Sequence, residues 1–319
     1  MADSDSIIIK SGFITDEIYH LDIWQYGQSR TCSIYLLITP ECVIIMDVGT
    51  SDDVTSILNF LKINNIDFKK IKYLIPSHHH FDHFGGGWKL WEIIHKTNSD
   101  VKVLTIEETK KSLQDPKDHI NRAKRTFGEF IGIMEPIPDD AYELVNSDET
   151  ILIPKFKKQL KLISTPGHTF DHVSLALFND DKTEFVYLSE CAGGLLNSQK
   201  FLTVPSSMPP DFNFNTYIQS LKKILNFEPL NVGYAHAGAV RGYKGVKKVL
   251  EEHIDYSFFF RDFVKNKYIE RGETRFVVEQ FIEQEMKERI DVYHNDLYSN
   301  YAVAVVYGQL VDLGLKKPK

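Results

Sequence analysis

A dense cluster of histidine and aspartate side chains constrains this chain more than any other feature of its sequence. Residues 78–83 read His-His-His-Phe-Asp-His and contain the ordered pattern H-x-H-x-D-H. Neutral imidazole and carboxylate groups are the nitrogen and oxygen ligands that divalent first-row metals prefer. Such a cluster is typical of a metal site, and the alternative is a histidine-rich surface loop that binds metal adventitiously.

The cluster lies between a predicted strand and a predicted helix. Residues 71–76 are rich in apolar side chains and indicate a buried strand. Residues 88–94 follow three glycines and indicate a helix. Because α/β proteins bind their ligands at the carboxyl ends of strands, this position favours a functional site.

Three later strand-like runs are also followed by side chains that can bind metals. The residues that follow them are His168, Glu190 and His236. Small residues flank these positions, which allows the backbone to approach a crowded centre. Ligands from separate strand ends converge only if the strands share one edge of a sheet, so the order predicts one composite site.

These motifs, together with Asp47 in Met-Asp-Val-Gly-Thr, resemble the five motifs of the metallo-β-lactamase-fold hydrolase superfamily in order and spacing. The resemblance covers roughly residues 15–240. It implies an α/β fold with four layers, αββα, and a catalytic domain at residues 1–240. Residues 241–319 have helical spacing of their apolar side chains and are predicted to form a mainly helical C-terminal extension.

The resemblance also implies two divalent metal ions and a ligand set. The implied ligands fall into two groups and a bridging carboxylate: His78, His80 and His168; Asp82, His83 and His236; and Glu190. The superfamily usually has aspartate where this chain has Glu190. The longer side chain would bind one metal only, or bridge both ions with a shifted backbone. The alternative for Glu190 is a strand-end glutamate that bonds to neighbouring backbone.

Other polar residues near these motifs are predicted to support the site. Asp47 matches the aspartate of the first motif, which orients the ligand loop. His79 falls at a variable position of the motif and is not predicted to be a ligand. His172 is predicted to pack against the site or to support a ligand.

The ligand set predicts a metallohydrolase. Two cations lower the pKa of a shared water and polarise a substrate oxygen, so no protein nucleophile is needed. The resemblance implies that Asp82 is catalytic, because it would bind metal and also accept a hydrogen bond from the attacking hydroxide. Zinc is the expected metal, and iron and manganese suit the same ligands. The chain has no G-x-S-x-G elbow, which leaves serine catalysis without support.

The expected substrate is a small ester, thioester, lactone or phosphoester, since the chain resembles the glyoxalase II-like and lactonase-like general plan. Lactone-cleaving relatives place a tyrosine shortly after the bridging residue, whereas residues 191–194 here read Cys-Ala-Gly-Gly. Two alternatives stay open. One is an iron-dependent oxidoreductase or dioxygenase of the same fold, and the other is a non-catalytic metal-binding sensor.

Composition favours a cytoplasmic enzyme. A net charge of −7 and a pI near 6.0 argue against nucleic acid as a partner. Three cysteines among 319 residues fit a reducing compartment. The polar, acidic N-terminus does not resemble a signal peptide, and the apolar run at residues 297–311 is too short and too polar to span a membrane. We therefore expect a small-molecule substrate and no membrane partner.

Four local predictions concern the rest of the chain. Residues 33–46 indicate two strands joined by a hairpin turn. Asp52 and Asp53 are predicted to cap a following helix. Residues 106–147 are an insertion with a helix near 118–131, which we expect to shape the substrate pocket. Residues 258–260, three phenylalanines, predict a buried seam within the chain, with a homodimer contact as the alternative.

Overall fold

The computed structural model describes residues 6–194, 203–287 and 295–318, with the side chains of 295 and 296 left out. Its strands are, in chain order, β1 (Ile7–Ile8), β2 (Gly12–Phe13), β3 (Ile18–Asp22), β4 (Ser33–Ile38), β5 (Val43–Met46), β6 (Ile71–Ile75), β7 (Lys102–Thr105), β8 (Tyr142–Leu144), β9 (Thr150–Ile151), β10 (Gln159–Ser164), β11 (Val173–Asn179), β12 (Lys182–Ser189), β13 (Asn231–Tyr234) and β14 (Gly238–Arg241).

The α-helices are α1 (Val54–Ile63), α2 (Phe81–Phe84), α3 (Gly87–His95), α4 (Glu107–Gln114), α5 (Lys117–Phe127), α6 (Phe214–Asn226), α7 (Tyr243–Arg271), α8 (Thr274–Phe281) and α9 (Asn295–Asp312). A 3₁₀ turn at Gly128–Ile131 continues α5. The predicted helices after the histidine cluster and in the insertion are therefore confirmed.

The strands form two seven-stranded sheets. One sheet has the order β1-β14-β13-β12-β11-β10-β9, and the other has the order β2-β3-β4-β5-β6-β7-β8. In the first sheet, β12 and β13 are parallel to each other. In the second sheet, β5, β6, β7 and β8 are parallel to one another. The antiparallel pairing of β4 with β5 confirms the predicted hairpin.

Alternate side chains of the central strands enter different apolar cores, so both faces of each sheet are buried. In β4, Ile34 and Leu36 belong to a core that also contains Leu61 of α1. Tyr35 and Leu37 point the other way, into the core between the two sheets. Because successive side chains of a strand point to opposite faces, a fully apolar strand needs cover on both sides.

A third core completes the layers. Helices α6 and α7 pack on the outer face of the first sheet through side chains such as Leu221 and Leu250, which meet Val186 and Val232 of the sheet. Helices α1 and α3 cover the outer face of the other sheet. The predicted αββα architecture is confirmed.

The prediction that Asp52 and Asp53 cap α1 is wrong in its chemistry. Asp53 precedes α1, but its carboxylate forms no capping bond with the helix. It accepts hydrogen bonds from the backbone N–H and hydroxyl of Thr50 and from the amide of Gln25. Partners earlier in the chain therefore bind the carboxylate that was expected to cap the helix.

The C-terminal helices form a fourth apolar cluster, in which Phe260 of α7 and Phe281 of α8 meet Val305 of α9. The predicted phenylalanine seam is correct for Phe260 only, since Phe258 and Phe259 are each 48% exposed. Within the described ranges, no helix combines the length and apolar character that crossing a bilayer requires. The domain boundary at residue 240 stays a prediction.

Candidate metal centre

The ends of four strands bring the predicted ligands to one edge of the two sheets. β6 ends before His78, and β10 ends before His168. β12 is followed directly by Glu190, and β13 by the segment with His236. One short helix, α2, carries Asp82 and His83 of the H-x-H-x-D-H motif. The candidate ligands therefore converge in space as predicted, but the expectation that their strands share one sheet is wrong, since β6 lies in one sheet and β10, β12 and β13 lie in the other.

The first group consists of His78, His80, His168 and Glu190, whose candidate ligand atoms all lie within 4.8 Å of one another. The Nε2 atom of His168 is 3.2 Å from Nε2 of His78 and 3.1 Å from Nδ1 of His80. Oε2 of Glu190 is 2.6 Å from Nε2 of His168. The three histidines thus direct ring nitrogens at one small volume.

The second group consists of Asp82, His83 and His236. Oδ2 of Asp82 is 3.7 Å from Nε2 of His83 and 3.9 Å from Nε2 of His236. Both histidines are buried, whereas the Asp82 side chain is 22% exposed. Asp82 is therefore the acid of this group that solvent and small molecules can reach.

Glu190 lies between the two groups. Its Oε2 atom is 3.3 Å from Nε2 of His83, and its Oε1 atom is 3.6 Å from Nε2 of His236. The preceding residue, Ser189, has a positive φ of 50°, and the pairing of β12 with β13 shifts register next to it. A left-handed backbone conformation is strained for serine. The longer carboxylate thus reaches both groups from an irregular strand end.

Hydrogen bonds to backbone carbonyls fix the outer nitrogen of two rings. Nδ1 of His168 is 2.5 Å from the carbonyl oxygen of Ser206, and Nδ1 of His236 is 2.6 Å from that of Thr31. Since a carbonyl only accepts, each Nδ1 is the protonated donor, and each Nε2 keeps a free lone pair toward the centre. Nε2 of His83 is buried without a hydrogen bond of good geometry among the described residues.

Asp47 supports the ligand loop, as predicted. Its carboxylate accepts hydrogen bonds from the backbone N–H and hydroxyl of Ser77, both at 2.7 Å, and from the hydroxyl of Tyr187 at 2.6 Å. Oδ2 of Asp47 also lies 3.1 Å from Nδ1 of His83. One buried carboxylate therefore holds the start of the loop and orients a candidate ligand.

The two other histidines of the motifs have partners outside the centre. Nδ1 of His79 pairs with Asp171 at 2.9 Å, and both side chains are buried. His172 places Nδ1 2.9 Å from the hydroxyl of Thr165, and its Nε2 accepts the backbone N–H of Glu190 at 3.3 Å. The interpretation of His79 as a non-ligand and of His172 as a supporting residue agrees with these contacts.

Burial and mutual repulsion keep part of the cluster uncharged. Burial, reinforced by neighbouring imidazoles, holds the pKa of His78 and of His80 well below the usual value. Burial alone would raise the pKa of Glu190, but His168 and the other histidines around it outweigh that effect and lower the pKa. Neutral imidazoles and an ionised carboxylate are the forms that bind metals.

The donor set fits divalent metal ions. It offers nitrogen and oxygen atoms with no thiolate, in two groups linked by one carboxylate. The buried Nε2 of His83, which has no hydrogen bond among the described residues, is suited to donate its lone pair to a cation. A third histidine group, His79, His80 and His119, shares His80 with the first, but His79 and His119 are engaged by Asp171 and by the Phe81 backbone.

A cavity of about 340 Å³ opens over the two groups. Four candidate ligands line it: His80, Asp82, Glu190 and His236. Its other walls come from α5, from α9, from residues 208–211 and from a polar segment that contains Gln25, Tyr26 and Thr31. Helix α5 belongs to the insertion at 106–147, so the expectation that this segment shapes the pocket agrees with the structure.

Sequence reasoning missed two residues next to the ligands. His119 of α5 accepts the backbone N–H of Phe81 at 3.1 Å and stacks on the ring of His80. The amide of Gln25 donates to the backbone carbonyl of Asp82 at 2.9 Å. The predicted helix near 118–131 was the available signal for His119, whereas no pattern singled out Gln25.

Fold and site together define a class of protein, an αββα sandwich with a cluster of histidines and carboxylates at one edge of its sheets. The family model of the metallo-β-lactamase superfamily matches residues 28–181. The family model, the relatives and the solved structures all support the metallo-β-lactamase superfamily.

Individual relatives agree with this assignment. A metallo-β-lactamase fold-containing protein of Sulfurisphaera tokodaii is 26% identical over 233 residues, which cover 70% of this chain and 77% of that protein. A hydroxyacylglutathione hydrolase of Psychromonas ingrahamii is 29% identical over 138 residues, 43% of this chain and 38% of that enzyme. The crystal structure of an archaeal superfamily protein from Sulfolobus tokodaii matches 92% of this chain and 98% of its own, with 22% identity and a TM-score of 0.64.

Proposed function

We propose that the protein is a metal-dependent hydrolase that uses two divalent ions, with zinc as the first choice, on a small ester, thioester, lactone or phosphoester. The observation that carries the proposal is the position of Glu190. Its two carboxylate oxygens approach histidines of both groups, Oε2 at 2.6 Å from His168 and Oε1 at 3.6 Å from His236. A carboxylate between two sets of nitrogen donors suits a bridging ligand.

Ions held by these residues would lower the pKa of a water molecule and would polarise a substrate oxygen. Hydrolysis then breaks the bond between the acyl or phosphoryl centre and its leaving oxygen or sulfur. Water contributes its O–H to the acid product and its remaining proton to the leaving group. Asp82 is the residue of the site suited to move that proton, because its carboxylate reaches the cavity.

The surrounding residues keep the reacting groups in place. Gln25 holds the backbone of Asp82, and Asp47 holds Ser77 and His83. Carbonyl oxygens fix the rings of His168 and His236. A site assembled before the substrate arrives loses little free energy to reorganisation during the reaction. The similarity to a hydroxyacylglutathione hydrolase supports hydrolysis of an acyl compound.

Metal analysis and a substrate panel test the proposal. The protein is reconstituted with zinc, manganese or iron, its metal content is measured, and hydrolysis of chromogenic esters, thioesters, lactones and phosphodiesters is followed. His80→Ala should abolish turnover while the fold is retained. Asp82→Asn should lower kcat by about 10²- to 10⁴-fold, the usual contribution of a positioned acid or base. His95→Ala, a histidine at the end of α3, should leave turnover unchanged.

Other outcomes favour the other functions. Oxygen consumption by the iron-loaded protein, without hydrolysis, would indicate a dioxygenase. Bound metal without turnover on any substrate class would indicate a metal-binding sensor. Failure of the purified protein to bind any of the three metals contradicts the proposal and both alternatives.

A further inference from the structure

The cavity over the centre has apolar walls that come from two distant segments of the chain. On α5, Ala123 and Phe127 follow each other at a spacing of one helical turn and line the cavity. On α9, Tyr301 and Ala304 do the same. Met208 and two prolines close the third side. A substrate that reaches the candidate ligands must therefore lie against apolar surface.

The charged side chains that line the cavity offset one another. Arg122 and Asp211 both border it, and they carry opposite charges. Burial raises the pKa of Asp211, while the charges of His79 and Arg122 oppose that change. Arg125 also lines the cavity, and its exposed side chain has an interaction partner. The walls thus offer little net charge to a ligand and a large apolar area.

We propose that this cavity binds an apolar acyl group, so that the preferred substrate is an ester, thioester or lactone whose acyl part carries several carbon atoms. The inference rests on the proposed hydrolase function and specifies its substrate. The volume of about 340 Å³ is at the lower end of the ~300–1,000 Å³ typical of small-molecule pockets. It suits a single acyl group rather than a polymer.

A series of 4-nitrophenyl esters from acetate to octanoate tests the inference on the metal-loaded protein. Each added methylene should raise kcat/KM about fourfold until the cavity is full, because burial of one CH₂ contributes about 0.8 kcal/mol. Ala304→Leu and Ala123→Leu fill the cavity from its two helical walls. Both variants should lose the preference for long acyl chains, so that their kcat/KM changes by less than about twofold per methylene from acetate to octanoate.

Lys124→Leu is the matched control. Lys124 is the neighbour of Ala123 on α5, but it is exposed and does not line the cavity. This variant adds a leucine of the same size outside the cavity, and its chain-length preference should equal that of the wild type. Thermal unfolding of all variants shows that the fold is retained, and Ala123→Leu serves if Ala304→Leu does not fold.

Binding of octan-1-ol, measured by isothermal titration calorimetry, separates this inference from the proposed function, because this alcohol has no bond to hydrolyse. We expect binding to the wild type and to Lys124→Leu, and at least tenfold weaker binding to Ala123→Leu and Ala304→Leu. Equal turnover of all esters, or equal binding by all variants, overturns the inference and leaves the hydrolase proposal intact. Absence of turnover together with the expected binding pattern overturns the hydrolase proposal alone.

Discussion

The floor and the walls of the cavity are held in different ways. The floor consists of side chains at strand ends that are buried and fixed by short hydrogen bonds, such as His168 to the Ser206 carbonyl and Ser77 to Asp47. The wall formed by α5 contains no fully buried residue. The comparison indicates that the candidate ligands tolerate little displacement, whereas the wall formed by α5, with no buried residue, is held by weaker contacts.

The largest expected effect concerns the strand framework beneath the floor. His20 of β3 is buried and contacts the hydroxyl of Ser33 at 2.9 Å, and the backbone N–H of Ser33 donates to the carbonyl of Ala235, next to His236. Burial lowers the pKa of His20 from its usual 6.5 to about 4, and a contact with the Lys10 carbonyl opposes this in part. The native state therefore keeps His20 neutral.

The direction of the pH effect follows from these pKa values. As pH falls below 6.5, the unfolded chain takes up a proton that the native state binds only near pH 4, so stability falls across this interval. At about 1.4 kcal/mol per pH unit, the loss is about 3 kcal/mol. Urea unfolding with a chelator present measures the free energy of unfolding of the wild type and of His20→Asn. Between pH 6.5 and pH 4 this free energy should fall by about 3 kcal/mol less in the variant than in the wild type. Parallel curves would contradict the prediction.

The next effect tests the hydrogen bonds of the floor directly. Asp47→Asn replaces Oδ2 by an NH2 group, which cannot accept from the hydroxyls of Ser77 and Tyr187 or from Nδ1 of His83. Metal affinity should fall about 10- to 100-fold, the usual cost of losing such a support. Competition with a chromogenic chelator measures it. Asp171→Asn is the control, since this equally buried carboxylate pairs with His79 and not with a candidate ligand. Unchanged affinity in Asp47→Asn would show that the floor does not depend on this network.

The smallest effect is expected in the wall. His119→Ala removes the acceptor for the Phe81 N–H and the ring that stacks on His80. Because this bond is only partly buried and water can replace it, the free energy of unfolding should fall by about 1 kcal/mol or less. Lys124→Ala on the same helix should change it by less than about 0.5 kcal/mol. A loss of more than about 3 kcal/mol for His119→Ala would mean that wall and floor are equally rigid.

The sequence predicted the floor far better than the wall, for a physical reason. Candidate ligands such as His78, His168 and His236 each follow a short apolar strand, and the two packed sheets bring these strand ends to one edge. The contact between α5 and α9 has no such local signal, because it joins an insertion to the end of the chain. Three consecutive phenylalanines predicted a buried seam, but consecutive residues point in different directions on a helix, so Phe260 is buried while Phe258 and Phe259 are exposed.

Glu190 shows which features of a site a local sequence pattern predicts and which it does not. The sequence indicated that a longer side chain would need a shifted backbone to reach both groups. The structure has a left-handed Ser189 and a register shift at this point, and the carboxylate lies between the groups. The histidines that surround the Glu190 side chain come from other segments of the chain, which a local pattern does not place. Only the assembled sheets determine those distances.

The position of α9 in the chain has an evolutionary consequence. The last candidate ligand, His236, precedes the whole of α7, whereas α9 supplies cavity residues as late as Tyr307. Changes in α9 can therefore accumulate after gene duplication without replacing any group that would coordinate a cation. Descendants of this chain could exchange one substrate for another while inheriting an intact reaction chemistry.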